Sequence, residues 1–105
     1  MIKNDFSGYK EVTLSGSYLY SRSEARRVRS DVEELLNRGT PVCFDLSGVL
    51  SVSDSYADEL FGVLAAKHGL DCLLDRVRLR TSDENVAASI AAVIKRRSEK
   101  SAEIA

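Results

Sequence analysis

The feature that most constrains the fold is the segment PVCFDL, residues 41–46, which is nearly continuous in apolar side chains. A half-exposed strand alternates apolar and polar residues, whereas a strand covered on both faces carries an apolar run of this kind. Segments with helical periodicity lie on both sides of it, and this alternation favours parallel strands joined by right-handed crossovers. The sequence therefore predicts an α/β domain in which residues 41–46 form the central strand.

Three segments, residues 21–39, 55–69 and 81–100, have the periodicity of amphipathic helices. Each begins with a hydroxyl residue followed three positions later by an acid, the spacing at which two side chains cap a helix start. The expected capping pairs are Ser21 with Glu24, Ser55 with Asp58, and Thr81 with Glu84. Gly39 and Gly69 are expected to end the first two helices, because glycine readily adopts the left-handed conformation found there.

Three other segments are expected to form strands. KEVTL at 10–14 and SYLYS at 17–21 flank a Ser-Gly pair and predict an N-terminal hairpin. RVRLR at 76–80 alternates, as a strand near a sheet edge does. The expected order is β-β-α-β-α-β-α, a small α/β sandwich with an about four-stranded mixed β-sheet and three α-helices. A chain of 105 residues is enough for one domain, here 1–105 with a core at about 10–98 and a frayed tail at 99–105.

Composition excludes several functional classes. The formal net charge of −1 gives no general attraction to nucleic acid or anionic lipid. The apolar stretches are far shorter than the about 20 residues of a membrane span, and the N-terminus has no apolar signal segment, so we expect a cytoplasmic protein. Cys43 and Cys72 have neither metal-ligand nor disulfide-framework spacing, and we expect no metal and no cofactor.

The single histidine, His68, cannot act as a base for a serine in the polar cluster that follows the central strand. It lies nearly four turns from Ser55 along one predicted helix, about 20 Å at 1.5 Å per residue. No glycine-rich phosphate loop follows a strand. Since no nucleophile has a base within reach, we expect no catalytic residues and no enzymatic activity.

Ser51, Ser53, Asp54 and Ser55 lie in the predicted loop between the central strand and the second helix. The amides and the dipole of a helix start favour a dianion, so this is a suitable place for a phosphoserine. The nearby acids would repel a phosphate. A plainer interpretation, a helix cap with polar neighbours, stays open.

Three residues of the second helix complete this cluster. Asp58 and Glu59 are adjacent and point about 100° apart on a helix, so they are not a paired acid and base. Asp58 is expected to cap the helix together with Ser55, and Glu59 to be a solvated acid of the first turn. Tyr56 is expected to be partly exposed, as an aromatic anchor of an interface would be.

The run FDLSGVLSVSDSYADELFGVL, residues 44–64, resembles the strand–loop–helix centre of STAS domains, the fold of bacterial anti-sigma factor antagonists. It is more similar to a STAS-like family of uncharacterised bacterial proteins, whose S-R-S-x-A-x-R opening resembles SRSEARR at 21–27. The resemblance spans about residues 18–95 and implies a STAS-like sandwich. It also implies a non-enzymatic regulatory module that binds another protein.

In antagonist STAS domains the partner kinase phosphorylates a serine at the start of the second helix. Alignment on FDLSGV places Ser55 at that position, with Ser53 as the second candidate. The sequence departs from the family's DSSG signature, since Ser53, Asp54 and Tyr56 replace its aspartate, first serine and glycine. The implied partner is a histidine-kinase-like ATPase or an anti-sigma factor-type serine kinase. The residues expected to dock on it are Ser51, Asp54, Tyr56, Asp58 and Glu59.

Other interpretations remain open. A pocket at the end of the central strand, next to the serine-rich loop, could instead bind a small ligand or a nucleotide, and the protein would then be a sensor. The module could also be a constitutive scaffold or a homodimer that is never phosphorylated.

Overall fold

The computed structural model describes residues 8–104 of the chain, with side chains through residue 99. Within that range the chain forms five strands and four helices. In chain order they are β1 (Lys10–Thr13), β2 (Tyr18–Leu19), α1 (Arg22–Asn37), β3 (Val42–Asp45), β4 (Ser51–Val52), α2 (residues 54–68), α3 (Leu70–Arg76), β5 (Val77–Arg80) and α4 (Glu84–Ile104). Helix α2 is continuous, but a π-helical stretch, Asp58–Gly62, separates the α-helical segments Asp54–Ala57 and Val63–His68.

Strands β1, β3 and β5 form a parallel sheet with β3 in the centre. Val42 of β3 lies opposite Lys10 of β1 on one side and opposite Val77 of β5 on the other. Val42 and Phe44 are fully buried, as expected for a strand covered on both faces. The central position predicted for residues 41–46 is therefore confirmed.

The predicted N-terminal hairpin is wrong, and so is the four-stranded mixed sheet. Strand β1 pairs in parallel with β3, whereas β2 forms a separate two-stranded parallel ribbon with β4. Both Leu14 and Leu19, on either side of the turn at Gly16, are buried by this arrangement. A hairpin of β1 and β2 would leave one edge of the buried strand β3 without backbone partners, which is costly.

Helix α1 begins at the predicted cap, because Ser21 Oγ accepts a hydrogen bond from Glu24 N at 3.2 Å. The Glu24 side chain does not complete the predicted capping pair, since its carboxylate pairs with Arg27. Gly39 follows the helix with φ of 81°, a left-handed conformation that suits glycine. Helix α3 has no counterpart in the sequence prediction, which left residues 70–75 without an element. The described chain therefore has four helices instead of the predicted three.

The predicted caps of the other two helices are wrong. Helix α2 is capped by Ser53, whose Oγ accepts a hydrogen bond from Tyr56 N at 3.1 Å, because the helix starts directly after strand β4. Helix α4 is capped by Asp83, whose Oδ1 accepts from Val86 N at 3.0 Å. The Thr81 hydroxyl instead accepts a hydrogen bond from the backbone of Asp83.

The core joins the sheet to helix α2. Phe44 packs edge-on against Phe61, with ring centroids 5.0 Å apart. Helix α2 contacts both α1 and α4. Helix α4 continues through Ile104, into the segment 99–105 for which the sequence predicts fraying. The largest fully buried side chains are Tyr56, Phe44, Phe61, Leu46, Leu60, Leu64, Ile90, Val32, Val42, Val49, Val86 and Val93.

Candidate functional site

The start of helix α2 is fastened to the β2–β4 ribbon by hydroxyl groups. Ser51 lies within strand β4, opposite Tyr18, and not in a loop as predicted. The Tyr20 hydroxyl donates a hydrogen bond to Ser51 Oγ at 3.1 Å, and Ser53 Oγ donates to the Tyr20 carbonyl at 3.5 Å. The ribbon therefore fixes the position at which α2 begins.

The two candidate phosphoacceptor serines differ in what their hydroxyls do. The Ser53 hydroxyl caps α2 and also contacts the ribbon. Ser55 lies in the first turn of α2 and is partly exposed. Among the side chains that the structure describes, no hydrogen-bond partner is found for the Ser55 hydroxyl. The two serines are buried to a similar degree, so what distinguishes Ser55 is a hydroxyl that neither caps the helix nor contacts the ribbon.

Tyr56 does not have the partial exposure predicted for it. Only 2% of its surface is exposed, and it contributes to the main core cluster. It follows the Ser53 cap and points inward, where it lines a small cavity together with Leu19 and Val28. Burial raises the pKa of the Tyr56 hydroxyl. Tyr56 thus supports the first turn of α2 from inside and is not available on the surface.

Asp58 is bound by helix α4 and does not cap α2. Arg97 Nε donates to Asp58 Oδ1 at 2.9 Å, and Arg97 Nη2 donates to Oδ2 at 2.8 Å. These hydrogen bonds lower the pKa of Asp58. Gly62 makes room for the pair, since a Cβ atom there would lie 2.6 Å from Asp58 Oδ1 and 3.2 Å from Arg97 Cγ. The π-helical stretch thus accommodates the Arg97 side chain of α4, with Asp58 binding its guanidinium and Gly62 leaving space for the pair.

Glu59 is buried, contrary to the solvated position that we predicted. Only 8% of its surface is exposed, and three arginines of helix α1 surround its carboxylate. Arg22 Nη1 donates to Oε1 at 3.0 Å, Arg26 Nε lies 3.6 Å from Oε2, and Arg29 donates to both Oε2 and the backbone carbonyl. Burial acts to raise the pKa of Glu59, but the hydrogen bonds from Arg29 and Arg22 outweigh it and lower the pKa.

A chain of ion pairs continues from Glu59 along the boundary between α1 and α2. Arg29 also lies 3.4 Å from Glu33, and the other carboxylate oxygen of Glu33 is 3.2 Å from both Lys67 Nζ and His68 Nε2. His68 therefore joins the end of α2 to α1. Its position at the far end of α2 from Ser55 agrees with a structural role.

All three acids that we expected to repel a phosphate are paired with arginine. Asp54 completes the set, since its Oδ1 accepts a hydrogen bond from Arg96 Nη2 at 3.2 Å. The five arginines on these carboxylates are Arg22, Arg26, Arg29, Arg96 and Arg97. Each of the three carboxylates thus has at least one guanidinium partner, and one of these arginines, Arg29, also pairs with Glu33. The predicted repulsion is therefore compensated by charges from α1 and α4.

The sequence interpretation missed these arginines, although the pattern contains a signal for them. Arg22, Arg26 and Arg29 follow the helical spacing i, i+4 and i+7, which places all three on one face of α1. Arg96 and Arg97 lie near the end of the third segment with helical periodicity, residues 81–100. A cationic stripe on a helix next to an acidic helix start predicts such pairing.

Two exposed aromatic side chains beside the start of α2 were also missed. Tyr18 is 63% exposed and Tyr20 is 56% exposed, and their ring centroids lie 6.0 Å apart. Ser51 lies between them on the neighbouring strand. We call Tyr18 and Tyr20 the tyrosine strip. The alternation in SYLYS, with Leu19 buried between the two tyrosines, is the signal that could have identified it.

A cavity lies where strand β1 ends. It is lined by Thr13, Leu14 and Ser15, by Glu24 and Arg27 of α1, and by Tyr56, and its volume is about 190 Å³. Pockets for drug-sized ligands usually measure about 300–1,000 Å³. This strand-end cavity is therefore smaller than a typical nucleotide site.

The described residues contain no cluster of His, Cys, Asp and Glu side chains arranged to hold a metal ion. Among the helices in the described part of the chain, none is long and apolar enough to cross a membrane.

The parallel sheet, the helix that follows its central strand and the serine-rich start of that helix define a small α/β domain of the STAS-like class. The chain belongs to the family described as STAS-like domain of unknown function (DUF4325), whose model matches residues 24–87. This match confirms the resemblance inferred from the sequence. No curated protein and no solved structure matches the chain significantly.

Proposed function

We propose that the protein is a non-enzymatic, cytoplasmic regulatory module that docks on another protein through the start of helix α2. The observation that carries the proposal is the exposed tyrosine strip, which contacts Ser51 and Ser53 at the start of the helix that carries the partly exposed Ser55. Tyrosine is enriched among residues that dominate binding energy at protein interfaces. The proposed docking surface consists of Tyr18, Tyr20, Ser51, Asp54 and Ser55.

The proposed partner is a histidine-kinase-like ATPase or a serine kinase of the anti-sigma factor type. The chain belongs to a STAS-like family. Its resemblance to antagonist STAS domains, which bind such proteins, supports this choice. In this chain, Tyr56 and Glu59 contribute indirectly, by holding the first turns of α2 in place. Asp58 does the same through Arg97.

Phosphorylation of Ser55 is the proposed switch. Its hydroxyl, which has no hydrogen-bond partner within the described part of the chain, lies in the first turn of a helix, where backbone amides and the dipole favour a phosphate. The arginines around α2 offset the three neighbouring carboxylates. Ser53 is the weaker candidate because its hydroxyl already caps the helix.

The docking surface is tested by measuring the affinity of the purified chain for a candidate kinase of the anti-sigma factor type. Tyr18→Ala combined with Tyr20→Ala should weaken binding at least about tenfold, since each buried tyrosine anchor contributes about 1–2 kcal/mol or more. Arg38→Ala is the control, because the Arg38 side chain is 66% exposed and lies just after helix α1, outside the proposed docking surface. Equal losses in both variants would refute the proposed surface.

The switch is tested by incubating the chain with the same kinase and ATP and measuring intact mass. One phosphate adds about 80 Da and up to two negative charges, and fragmentation should locate it on Ser55. Ser55→Ala should remain unmodified, and Ser55→Asp should bind the kinase more weakly than wild type. A wild-type chain that binds but is never modified, with both variants binding equally, would instead indicate a constitutive scaffold.

A further inference from the structure

An apolar groove lies between helix α3, strand β5 and helix α4. Its volume is about 480 Å³, and we call it the leucine groove. Its lining residues are Leu70, Leu74, Leu79, Ala87, Ile90, Ala91, Ile94, Lys95, Ser98 and Glu99. Leu70, Leu74 and Leu79 are large hydrophobic residues that remain exposed, with Leu74 the most exposed at 65%. Three exposed leucines converging on one concave surface are typical of an interaction site.

The space under the leucines is also incompletely filled. A second apolar cavity of about 140 Å³ shares Leu70, Leu74 and Leu79 with the groove and reaches Phe61 in the core. This second cavity is partly open to the surface, so it extends the leucine groove toward the core. Helix α3 therefore does not close the apolar side of the sheet by itself.

Helix α4 presents a flat strip beside this groove. Ala87, Ala88, Ala91 and Ala92 occupy its middle, and small side chains allow a second helix to approach closely. Glu84 precedes the alanines and Lys95 follows them, three turns apart on nearly the same face of the helix. Both are exposed, and neither has a salt-bridge partner among the side chains that the structure describes.

We propose that a second copy of this chain covers the leucine groove, with the two α4 helices packed antiparallel. A twofold axis between Ala88 and Ala91 would place Glu84 of each copy opposite Lys95 of the other. Such an arrangement satisfies both charges twice by symmetry. It also brings Leu74 of each copy over the apolar groove of the second copy.

The complementary ends of α4 favour a second copy over an unrelated partner. In a twofold-symmetric dimer the same surface of each copy must supply both members of every contact. This surface has the exposed Leu74 beside the leucine groove, and the acid Glu84 on the same helix as the base Lys95. The docking surface of the proposed function shares no residue with it. A dimer through α4 would therefore leave the start of α2 accessible, and either proposal can fail without the other.

The test is the mass of the full chain in solution, measured by sedimentation and light scattering over a wide concentration range. The wild type should be a dimer. Leu74→Glu should give a monomer, because it places a charge in the apolar contact twice. The matched control is Leu50→Glu, since Leu50 is 59% exposed, does not line the leucine groove and borders one flank of α4 at Asn85 and Ser89, and this variant should remain a dimer.

Charge reversal provides a second test that does not depend on the leucines. Glu84→Lys and Lys95→Glu should each weaken dimerisation about tenfold, because like charges would then face each other at two symmetric positions. The variant with both reversals should regain the wild-type affinity. Circular dichroism verifies that each variant is folded.

Three outcomes would overturn the proposal. A wild-type chain that is monomeric at every concentration leaves the groove to a different protein. A dimer that persists in Leu74→Glu places the interface elsewhere. A double reversal that stays as weak as the single reversals rejects the antiparallel pairing of Glu84 with Lys95.

Discussion

Arg97 of helix α4 holds both carboxylate oxygens of Asp58 of helix α2, with donor–acceptor distances of 2.9 and 2.8 Å. A bidentate pair of this kind fixes orientation as well as distance, because the planar guanidinium matches the planar carboxylate. The pair is formed on the π-helical stretch of α2. It therefore links the proposed docking helix to the helix of the proposed dimer interface.

Replacing Asp58 by alanine should destabilise the protein. The change leaves Arg97 partly buried without its acceptor, and we expect a loss of about 1–2 kcal/mol in the free energy of unfolding. Urea denaturation measures this loss. Asp54→Ala is the control, since the exposed pair of Asp54 with Arg96 should contribute less than about 0.5 kcal/mol. Equal effects of both variants would contradict the role assigned to Asp58.

Gly62→Ala should also lower stability, although alanine ordinarily favours helices over glycine by about 1 kcal/mol. The added methyl group would collide with the Asp58 carboxylate, and overpacking of this kind costs about 1–3 kcal/mol. In an Asp58→Ala background the closest obstacle is gone and only Arg97 Cγ remains, at 3.2 Å, so Gly62→Ala should there be much less costly. A double-mutant cycle by urea denaturation measures this coupling, and additive effects would show that the steric argument fails.

Glu59→Ala should destabilise the protein more than either change above, by about 3 kcal/mol. Removing one partner of a buried ion pair leaves the other charge poorly compensated, and here Arg29 would keep only its longer contact with Glu33. Glu34→Ala is the control. Glu34 lies on the same helix as Arg29, but it is exposed and pairs with Arg38, so this change should alter stability by less than about 0.5 kcal/mol. Thermal and urea unfolding of the two variants provide the comparison. A Glu59→Ala variant as stable as Glu34→Ala would contradict the buried ion pair.

Acid should destabilise the protein through the paired carboxylates. The pKa of Glu59 lies below its ordinary value of 4.5, and the pKa of Asp58 lies below 3.8. The pKa of Glu33 is lowered as well, because burial raises it less than the hydrogen bonds from Lys67 and His68 lower it. A lowered pKa in the folded state means that the unfolded chain binds the proton more tightly.

The contribution of these carboxylates is therefore complete above their ordinary pKa values and decreases as the pH falls toward the lowered ones. The free energy of unfolding should begin to fall near pH 4.5 and continue to fall at lower pH. Glu59→Gln should show a shallower decrease, because one of the titrating groups is missing. A pH series of urea unfolding curves measures both slopes, and identical slopes would contradict this assignment.

The two serines at the start of α2 should respond differently to alanine. Ser53→Ala removes the helix cap and should cost about 1 kcal/mol. Ser55→Ala removes a hydroxyl without a partner among the described side chains and should change stability by less than about 0.5 kcal/mol. Thermal unfolding of both variants decides between the observed cap and the one predicted from spacing. The reverse order would place the cap at Ser55.

The parts of the fold that depend on local pattern could be predicted from the sequence. The apolar run at residues 41–46 and the Ser21 cap are local signals, and the structure confirms both. The cap of α2 could not be decided locally, because Ser53 and Ser55 are equally good capping residues. The end of strand β4 selects Ser53, and that strand exists only through its pairing with β2.

The errors at the candidate site have a common cause. Tyr56 and Glu59 were assigned to the surface because they begin a polar helix, but their surroundings come from distant segments. Glu59 is buried by arginines that lie about 30 to 37 positions earlier in the chain. Periodicity within one helix does not contain that information. The tyrosine strip, in contrast, was predictable from the alternation in residues 17–21.

The parallel pairing of the strands also determines when the fold can form. Strands β1 and β2 both pair with strands that follow α1. The edge of β3 that does not face β1 has no backbone partner until β5 has been synthesised. A ribosome that has synthesised the first half of the chain has therefore produced only part of the sheet. Contacts between residues far apart in sequence form slowly, because closing the long loop between them costs conformational entropy before the contacts can stabilise the fold. We expect the domain to acquire its structure late, once β5 and α4 have emerged, as a single cooperative unit.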